Sequence, residues 1–242
     1  MLYELERHRM VAAIQAVKDG GLLNQGGGAI SVRTPDDRMV ISTTGSASRQ
    51  YWDITAADHI VLDMNGDVVE QTTGLGVSGT PLHLALYRML PKAGAILHAH
   101  APHSLVFSSL GHDVPSVTNR CDALGPIPCL AADDETVKRE YRDNPYQFTM
   151  PAGMVQRPDV AVVTIRYYEP LLDQLIAPRA AELERHALAF TLYRHGVVVV
   201  GRDVGQAVDA LFRVEESAEC ALKQTALTGG VIHSNRLFRS GA

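Results

Sequence analysis

The run AGAILHAH at residues 93–100 constrains this chain more than any other segment. It is apolar from Ala93 to Leu97, too short for a helix, and bounded by Pro91 and Ala101-Pro102, the pattern of a buried strand. Pro102 lacks the N–H that a helix start leaves unpaired, so it is suited to open a helix over HSLVFSSLG. His98 and His100 then stand at the strand's C-terminal end, and their spacing of two sends both side chains to one face. Further runs supply strands to pair with it. These are AISVR behind Gly26-Gly27-Gly28, RMVIST at 38–43, HIVLDMNGDVV at 59–69 with an Asn65-Gly66 turn, DVAVVTI at 159–165, and Val197–Val200 after His195-Gly196.

Helical patterns frame these runs. Residues 2–19 place Leu5, Met10, Val11, Ile14 and Val17 on one face, and Gly20-Gly21 stop the helix. After Thr80-Pro81, Leu82, Leu84, Leu86 and Leu90 form a short helix that ends before Pro91. Residues 171–190 read as helix with a break at Pro178, followed by FTLYR and a hairpin or bend at Gly196. From Asp203, Val204, Ala207, Val208, Leu211, Phe212, Ala218 and Leu222 keep helical spacing to near Gly229-Gly230, with Glu219 and Lys223 as an i,i+4 pair. Residues 133–158 are polar and rich in turn formers, an excursion or lid over a site. The last dozen residues, with Arg236 and Arg239, read as peripheral or as a contact to a neighbouring subunit. With no internal repeat and no linker, 242 residues fit one domain over 1–242.

Composition narrows the function classes. Hydrophobic residues make up 46% and charged residues 20%, which is globular and excludes collagen, coiled coil and disorder. A net charge of −5 leaves no positive field for phosphate backbones, so nucleic acid is not an expected partner. The charged start MLYELERHRM and the absence of an apolar run near the membrane-spanning length point to a cytoplasmic protein with no membrane partner. Cys121, Cys129 and Cys220 form no CxxC pair and read as free thiols.

His98 and His100 therefore stand as a ligand pair for a divalent ion, with His195 as the third ligand and Gly196 giving the backbone room to turn. Neutral imidazoles with one open coordination position suit a substrate-binding metal. The spacing alone does not settle this, since histidines two apart, and a histidine before glycine, are more often structural.

The order of segments resembles the class II aldolase/adducin family over roughly residues 5–225. The resemblance rests on GGGAISVR, on STTG at 42–45, on VLDMNGDVV, on PLHLALYRMLP, on HAHAPHS and on LYRHGVVVVGRDVGQAVDALFRVEESA. It implies an α/β fold, a three-layer α/β/α arrangement with a central, mainly antiparallel mixed sheet. It implies His98, His100 and His195 as ligands of one divalent ion per subunit, zinc, manganese or iron. Gly28, Thr44, Gly45 and Ser78 become substrate-binding positions. The family's cyclic tetramers and related oligomers imply a homo-oligomer with sites at subunit interfaces.

The chain also departs from that family. Its sugar-phosphate aldolases carry Pro-Ser-Ser-Glu before the substrate-side helix, where this chain has Gly76, Val77, Ser78 and Gly79, so the acid/base carboxylate is missing. The asparagine after the glycine run aligns with Ala29, and one phosphate-holding serine aligns with Val77, which removes donors for a phosphate dianion. Backbone amides of Gly26–Gly28 still offer an anion nest. An interface tyrosine aligns with Asn119, and the adjacent Arg120 is suited to a carboxylate or to a surface ion pair. Tyr141, Tyr146 and Phe148 line an apolar pocket or anchor the excursion. His83 and His103 are the candidates for returning a proton or supplying a fourth ligand, with packing as the other role of His83. His8, His59, His112, His186 and His233 read as surface or structural, and Glu215 with Glu216 as a solvated or intersubunit charge pair.

The resulting expectation is a divalent-metal carbon–carbon lyase acting on a small non-phosphorylated oxo- or hydroxy-carboxylate. Decarboxylation ranks ahead of retro-aldol cleavage, because it needs no base to remove a proton first. A non-heme iron(II) oxygenase on the same fold and a non-catalytic adducin-like assembly domain are the alternatives.

Overall fold

A computed structural model of the chain describes residues 1–43, 45–73, 79–131 and 168–232. Thr44, Ser78, the 133–158 excursion, the 159–165 run and the C-terminal segment with Arg236 and Arg239 lie outside the described residues. The strands are β1 (Gly28–Arg33), β2 (Met39–Ile41), β3 (Ile60–Leu62), β4 (Val68–Glu70), β5 (Ala95–Ala99), β6 (Cys129–Leu130), β7 (Leu188–Leu192) and β8 (Gly196–Gly201). They form one eight-stranded sheet in the order β4-β3-β2-β1-β5-β8-β7-β6. Neighbours are antiparallel except β6 and β7, which run parallel. The AGAILHAH strand thus occupies the middle, between β1 and β8.

Alternation along the central strands builds two cores. Ala95, Leu97, Ala99, Val197, Val199 and Ala189 face helices α1 (Glu4–Asp19) and α6 (Val204–Thr228), with Phe107 of α3 (Pro102–Ser109) in the same cluster. Ile96, Val198, Val200, Leu188 and Phe190 face the other way, against α2 (Thr80–Met89) and a 3-10 segment, Ala177–Glu184. Strands buried on both faces need helices on both faces, which gives the three layers. A four-residue helix, α4 (Asn119–Asp122), and a helical stretch over 168–175, α5, complete the described elements used below.

The termini of these elements follow local chemistry. Pro81 and Pro102 sit in the first turns of α2 and α3. Asp203 caps α6 through a bond from Gln206 N, and Gly229 ends it at φ 68°. The Asn65-Gly66 turn closes with Gly66 at φ 97°, its amides held by Asp63.

Two expectations need correction. Leu5 is exposed, and the buried face of α1 is instead Arg7, Met10, Ala13, Ile14 and Val17. Arg7 is fully buried because every part of its guanidinium is bonded, to the carbonyls of Leu2, Ala56 and His59 and to Glu70 at 2.7 Å. The helix expected over 171–190 ends early. Pro178 opens the 3-10 segment, and from Leu188 the chain is strand β7, since there it pairs with β8 and β6. Among the described residues no helix is long and apolar enough to cross a membrane.

Candidate metal centre

Three histidines meet where β5 ends and β8 begins. His98 lies within β5, and His100 follows it as the chain turns through Ala101 into α3. The β7–β8 hairpin turns through Tyr193, Arg194 and His195, with Arg194 at φ 54° and His195 N donating to Leu192 O. Antiparallel pairing of His98 with Val198 and of Ala99 with Val197 brings this hairpin tip beside the end of β5. Ring centroids are then 4.8 Å apart for His98 and His195, 5.0 Å for His100 and His195, and 5.1 Å for His98 and His100.

The nitrogens fit one ion. One ring nitrogen from each histidine lies within 4.8 Å of the other two, and among the described residues no carboxylate or thiolate joins them. His98 Nε2 and His100 Nε2 are 3.3 Å apart, and two nitrogens bonded at ~2.0–2.1 Å to a tetrahedral ion stand about 3.3–3.4 Å apart. The rings are also kept neutral, as ligation requires. Burial, then the neighbouring His195 and His100, holds His98 well below its ordinary value, and burial lowers His100. His195 keeps an accessible edge, but crowding around its ring and then His100 push it down to about 4.

Glycines make this convergence possible. A Cβ on Gly196 would lie 2.5 Å from Ala99 O, 3.0 Å from His100 Cδ2 and 3.2 Å from His98 Cε1. Gly27, at φ 143°, passes so close to His100 that a Cβ would stand 3.1 Å from Cε1. Gly28 would meet His98 O at 2.8 Å and the Trp52 ring at 3.2 Å. Asn24 ties the two segments, accepting from Gly26 N at 2.8 Å and donating to His100 O at 3.1 Å. Trp52 Nε1 donates to Asn24 O at 2.8 Å. In the sequence Asn24 stands out only by its nearness to the glycine run, and Trp52, remote from it, carries no signal.

The remaining expected site residues are placed differently. His83, in the first turn of α2, is fully buried with Nδ1 2.6 Å from Ser31 Oγ, and burial lowers it to about 3. His103 turns to Glu215, whose Oε1 lies 2.9 Å from its Nδ1. Arg120 donates to Asp209 at 3.0 Å across α4 and α6. Gly45, at φ 91°, packs against Arg49 and receives the amides of Arg49 and Gln50 on its carbonyl. Glu215 is the correction here. It is buried, not solvated, because its carboxylate accepts from the amides of His103 at 2.5 Å and Ser104 at 3.0 Å, the open N-terminus of α3. Its partner in sequence, Glu216, is exposed.

A three-layer α/β/α sandwich with three imidazoles gathered at one end of its sheet defines an α/β protein with a candidate metal centre. Residues 8–222 match the Class II Aldolase and Adducin N-terminal domain, and the chain belongs to that family. Among curated proteins it is 30% identical over 186 residues to the L-ribulose-5-phosphate 4-epimerase UlaF of Salmonella paratyphi B, covering 76% of this chain and 68% of that one. Among solved structures, L-fuculose 1-phosphate aldolase superposes with a TM-score of 0.69 at 19% identity, covering 97% of this chain and 93% of that one. An aldolase II superfamily protein from Pseudomonas syringae gives 0.68 at 18% identity, covering 96% and 80%. These structural likenesses establish the fold.

Proposed function

We propose that this chain is a divalent-metal-dependent carbon–carbon lyase that decarboxylates a small non-phosphorylated oxo- or hydroxy-carboxylate. The observation that carries the reading is the cluster of His98, His100 and His195, whose nitrogens lie within 4.8 Å of one another. These three residues would hold zinc, manganese or iron, and the bound ion supplies Lewis acidity that stabilises negative charge on a substrate oxygen as the bond breaks. The imidazoles would contribute neutral lone pairs, and the glycine run lies directly against His100. No acid/base glutamate stands before α2, since Gly76, Val77, Ser78 and Gly79 occupy that stretch. Decarboxylation suits such a site, because the leaving carbon dioxide carries no proton to be removed.

Absence of a phosphate dianion from the substrate is supported by Ala29 and Val77, where oxygen or amide donors would be needed. The relative named above is an epimerase of a sugar phosphate, and that chemistry is the competing outcome. Gly28 and Gly45 stay as backbone contacts to substrate in this reading, with Thr44 and Ser78. Arg120 would have to leave Asp209 to reach a carboxylate. Assembly as a homo-oligomer, a tetramer by the family's habit, belongs to the same proposal and is read by light scattering.

The test loads the purified protein with zinc, manganese or iron(II) in turn and offers oxo-acids, hydroxy-acids and sugar phosphates. Carbon dioxide release without oxygen uptake, lost in His100→Ala, is expected. Oxygen consumption would favour the oxygenase, turnover confined to sugar phosphates would overturn the substrate class, and full biological activity in metal-free His100→Ala would favour an assembly role.

A further inference from the structure

Beneath the metal centre, on the α2 side of the sheet, lies a buried polar chain that the proposed chemistry does not use. Ser31 of β1, His83 and Tyr87 of α2 are all fully buried. Ser31 Oγ lies 2.6 Å from His83 Nδ1 and 2.9 Å from Tyr87 OH. Among the described residues Ser31 is the hydrogen-bond partner of that phenol, and His83 Nε2 has no partner at all.

Counting unpaired groups along this chain selects one tautomer. If His83 carried its proton on Nδ1, it would donate to Ser31 and Ser31 would donate to Tyr87, which strands two groups in the core, the phenolic proton and the Nε2 lone pair. With Tyr87 donating to Ser31 and Ser31 donating to Nδ1, every proton is placed except one, the proton on Nε2. Burial holds the ring neutral, so it carries a single proton. The chain therefore presents one buried, unpaired N–H donor, a group that folded proteins rarely leave without an acceptor.

That donor lies at a corner next to the triad. The corner is bounded by Gly79, at φ 72°, where a Cβ would stand 3.6 Å from His83 Nε2 and 3.1 Å from the Ala29 Cβ. Ala29 is the cross-strand partner of His98, so the side chains of Ala29 and His98 share one face of the sheet. Gly79 and Ala29 are thus the small residues that flank the unpartnered edge of the hydrogen-bond chain, the Nε2 side of the imidazole.

We propose that His83 Nε2–H, held in that tautomer by Tyr87 and Ser31, donates a hydrogen bond to an anionic oxygen of the substrate bound at the histidine cluster. His83 would then be a substrate-binding residue, with Ser31 and Tyr87 as positioning residues behind it. The inference rests on the reading of His98, His100 and His195 as a metal site. A neutral, rigid donor fits a carboxylate or a developing oxyanion, since it needs no change of protonation on binding.

The test uses protein labelled with nitrogen-15 in its histidines and loaded with zinc, with oxalate as the probe. Two-bond proton–nitrogen correlation spectra should show His83 protonated on Nε2, with that signal moving when oxalate is added. Ser31→Ala should relax the tautomer toward a mixture while zinc uptake is unchanged. His83→Phe should keep one zinc per chain and bind oxalate about 10- to 100-fold more weakly, as expected for loss of one hydrogen bond to a charged acceptor. His83→Gln, which restores an N–H, should recover part of that loss. A ring protonated on Nδ1 overturns the inference and leaves the metal site standing. So does a zinc-loaded wild type that ignores oxalate, or a His83→Phe variant that binds it unchanged. A wild type that takes up no zinc at the cluster overturns the metal reading itself and the inference with it.

Discussion

Gly196→Ala tests the metal centre through a single methyl group. Gly196 pairs with Leu192 in the β7–β8 hairpin, and its backbone is pressed against β5. The added Cβ would stand 2.5 Å from the Ala99 carbonyl oxygen, about 1 Å short of an ordinary contact. That oxygen belongs to a backbone held in register with β8, so it cannot swing aside as a flexible side chain would. The same methyl meets His100 at 3.0 Å and His98 at 3.2 Å, so relief of the clash moves two rings together with the hairpin that carries His195. Overpacking of this kind costs about 1–3 kcal/mol of stability. The expected effect on metal is larger. Groups that merely orient ligands cost ~10–100-fold in affinity when lost, and here the proposed ligands themselves would shift by a sizeable fraction of a ~2.0–2.1 Å bond. Competition of zinc against a chromogenic chelator should show at least about a 100-fold loss in Gly196→Ala, with the variant still folded by circular dichroism. Gly205→Ala in the first turn of α6, whose nearest contact is Asp203 Oδ1 at 3.3 Å, should leave zinc affinity unchanged. A folded Gly196→Ala protein with wild-type zinc affinity would refute the argument that these rings converge on one ion.

Other perturbations read other parts of the structure. Glu215→Ala removes the acceptor for two α3 amides and for the His103 ring, and chemical denaturation should show about 3 kcal/mol less stability; a change under about 1 kcal/mol would show that water replaces the carboxylate. Arg7→Met leaves the carbonyls of Leu2, Ala56 and His59 without their donor and Glu70 with only the Leu2 amide, with about 3 kcal/mol expected by the same measurement and near-neutrality contradicting the buried clamp. His59 is fully buried, and burial lowers it from 6.5 to about 4. Between those values the unfolded chain binds the extra proton, so stability is fully present above about pH 6.5 and falls by roughly 1.4 kcal/mol per unit toward pH 4. Urea melts of wild type and His59→Leu across that window should differ in slope by that amount, and parallel profiles would contradict it.

Much of the fold could be read because its punctuation is local. Pro81 and Pro102 open helices, Gly66 turns a hairpin and Gly229 ends α6, each through its own backbone preferences. The misread stretch is nonlocal. Leu188 to Phe190 continue a helix-compatible pattern, and only pairing with β8 makes them strand. The same distinction divides the site. HAH announces two candidate ligands in three residues, whereas His195 reaches them only through the antiparallel β5–β8 pair, and the resemblance to a family supplied what spacing could not. Glu215 was out of reach because its carboxylate serves amides 111 and 112 residues away. Asn24 bonds the backbone beyond β5 from its loop, Ser31 bonds two side chains of α2 from β1, and neither leaves a periodic trace in sequence.

X-ray absorption at the zinc edge of the reconstituted protein addresses the metal centre most directly. One zinc per chain with three imidazole nitrogens at about 2.0–2.1 Å is predicted, falling to two in His195→Ala. A spectrum with one imidazole or none, or one that His195→Ala leaves unchanged, would contradict it.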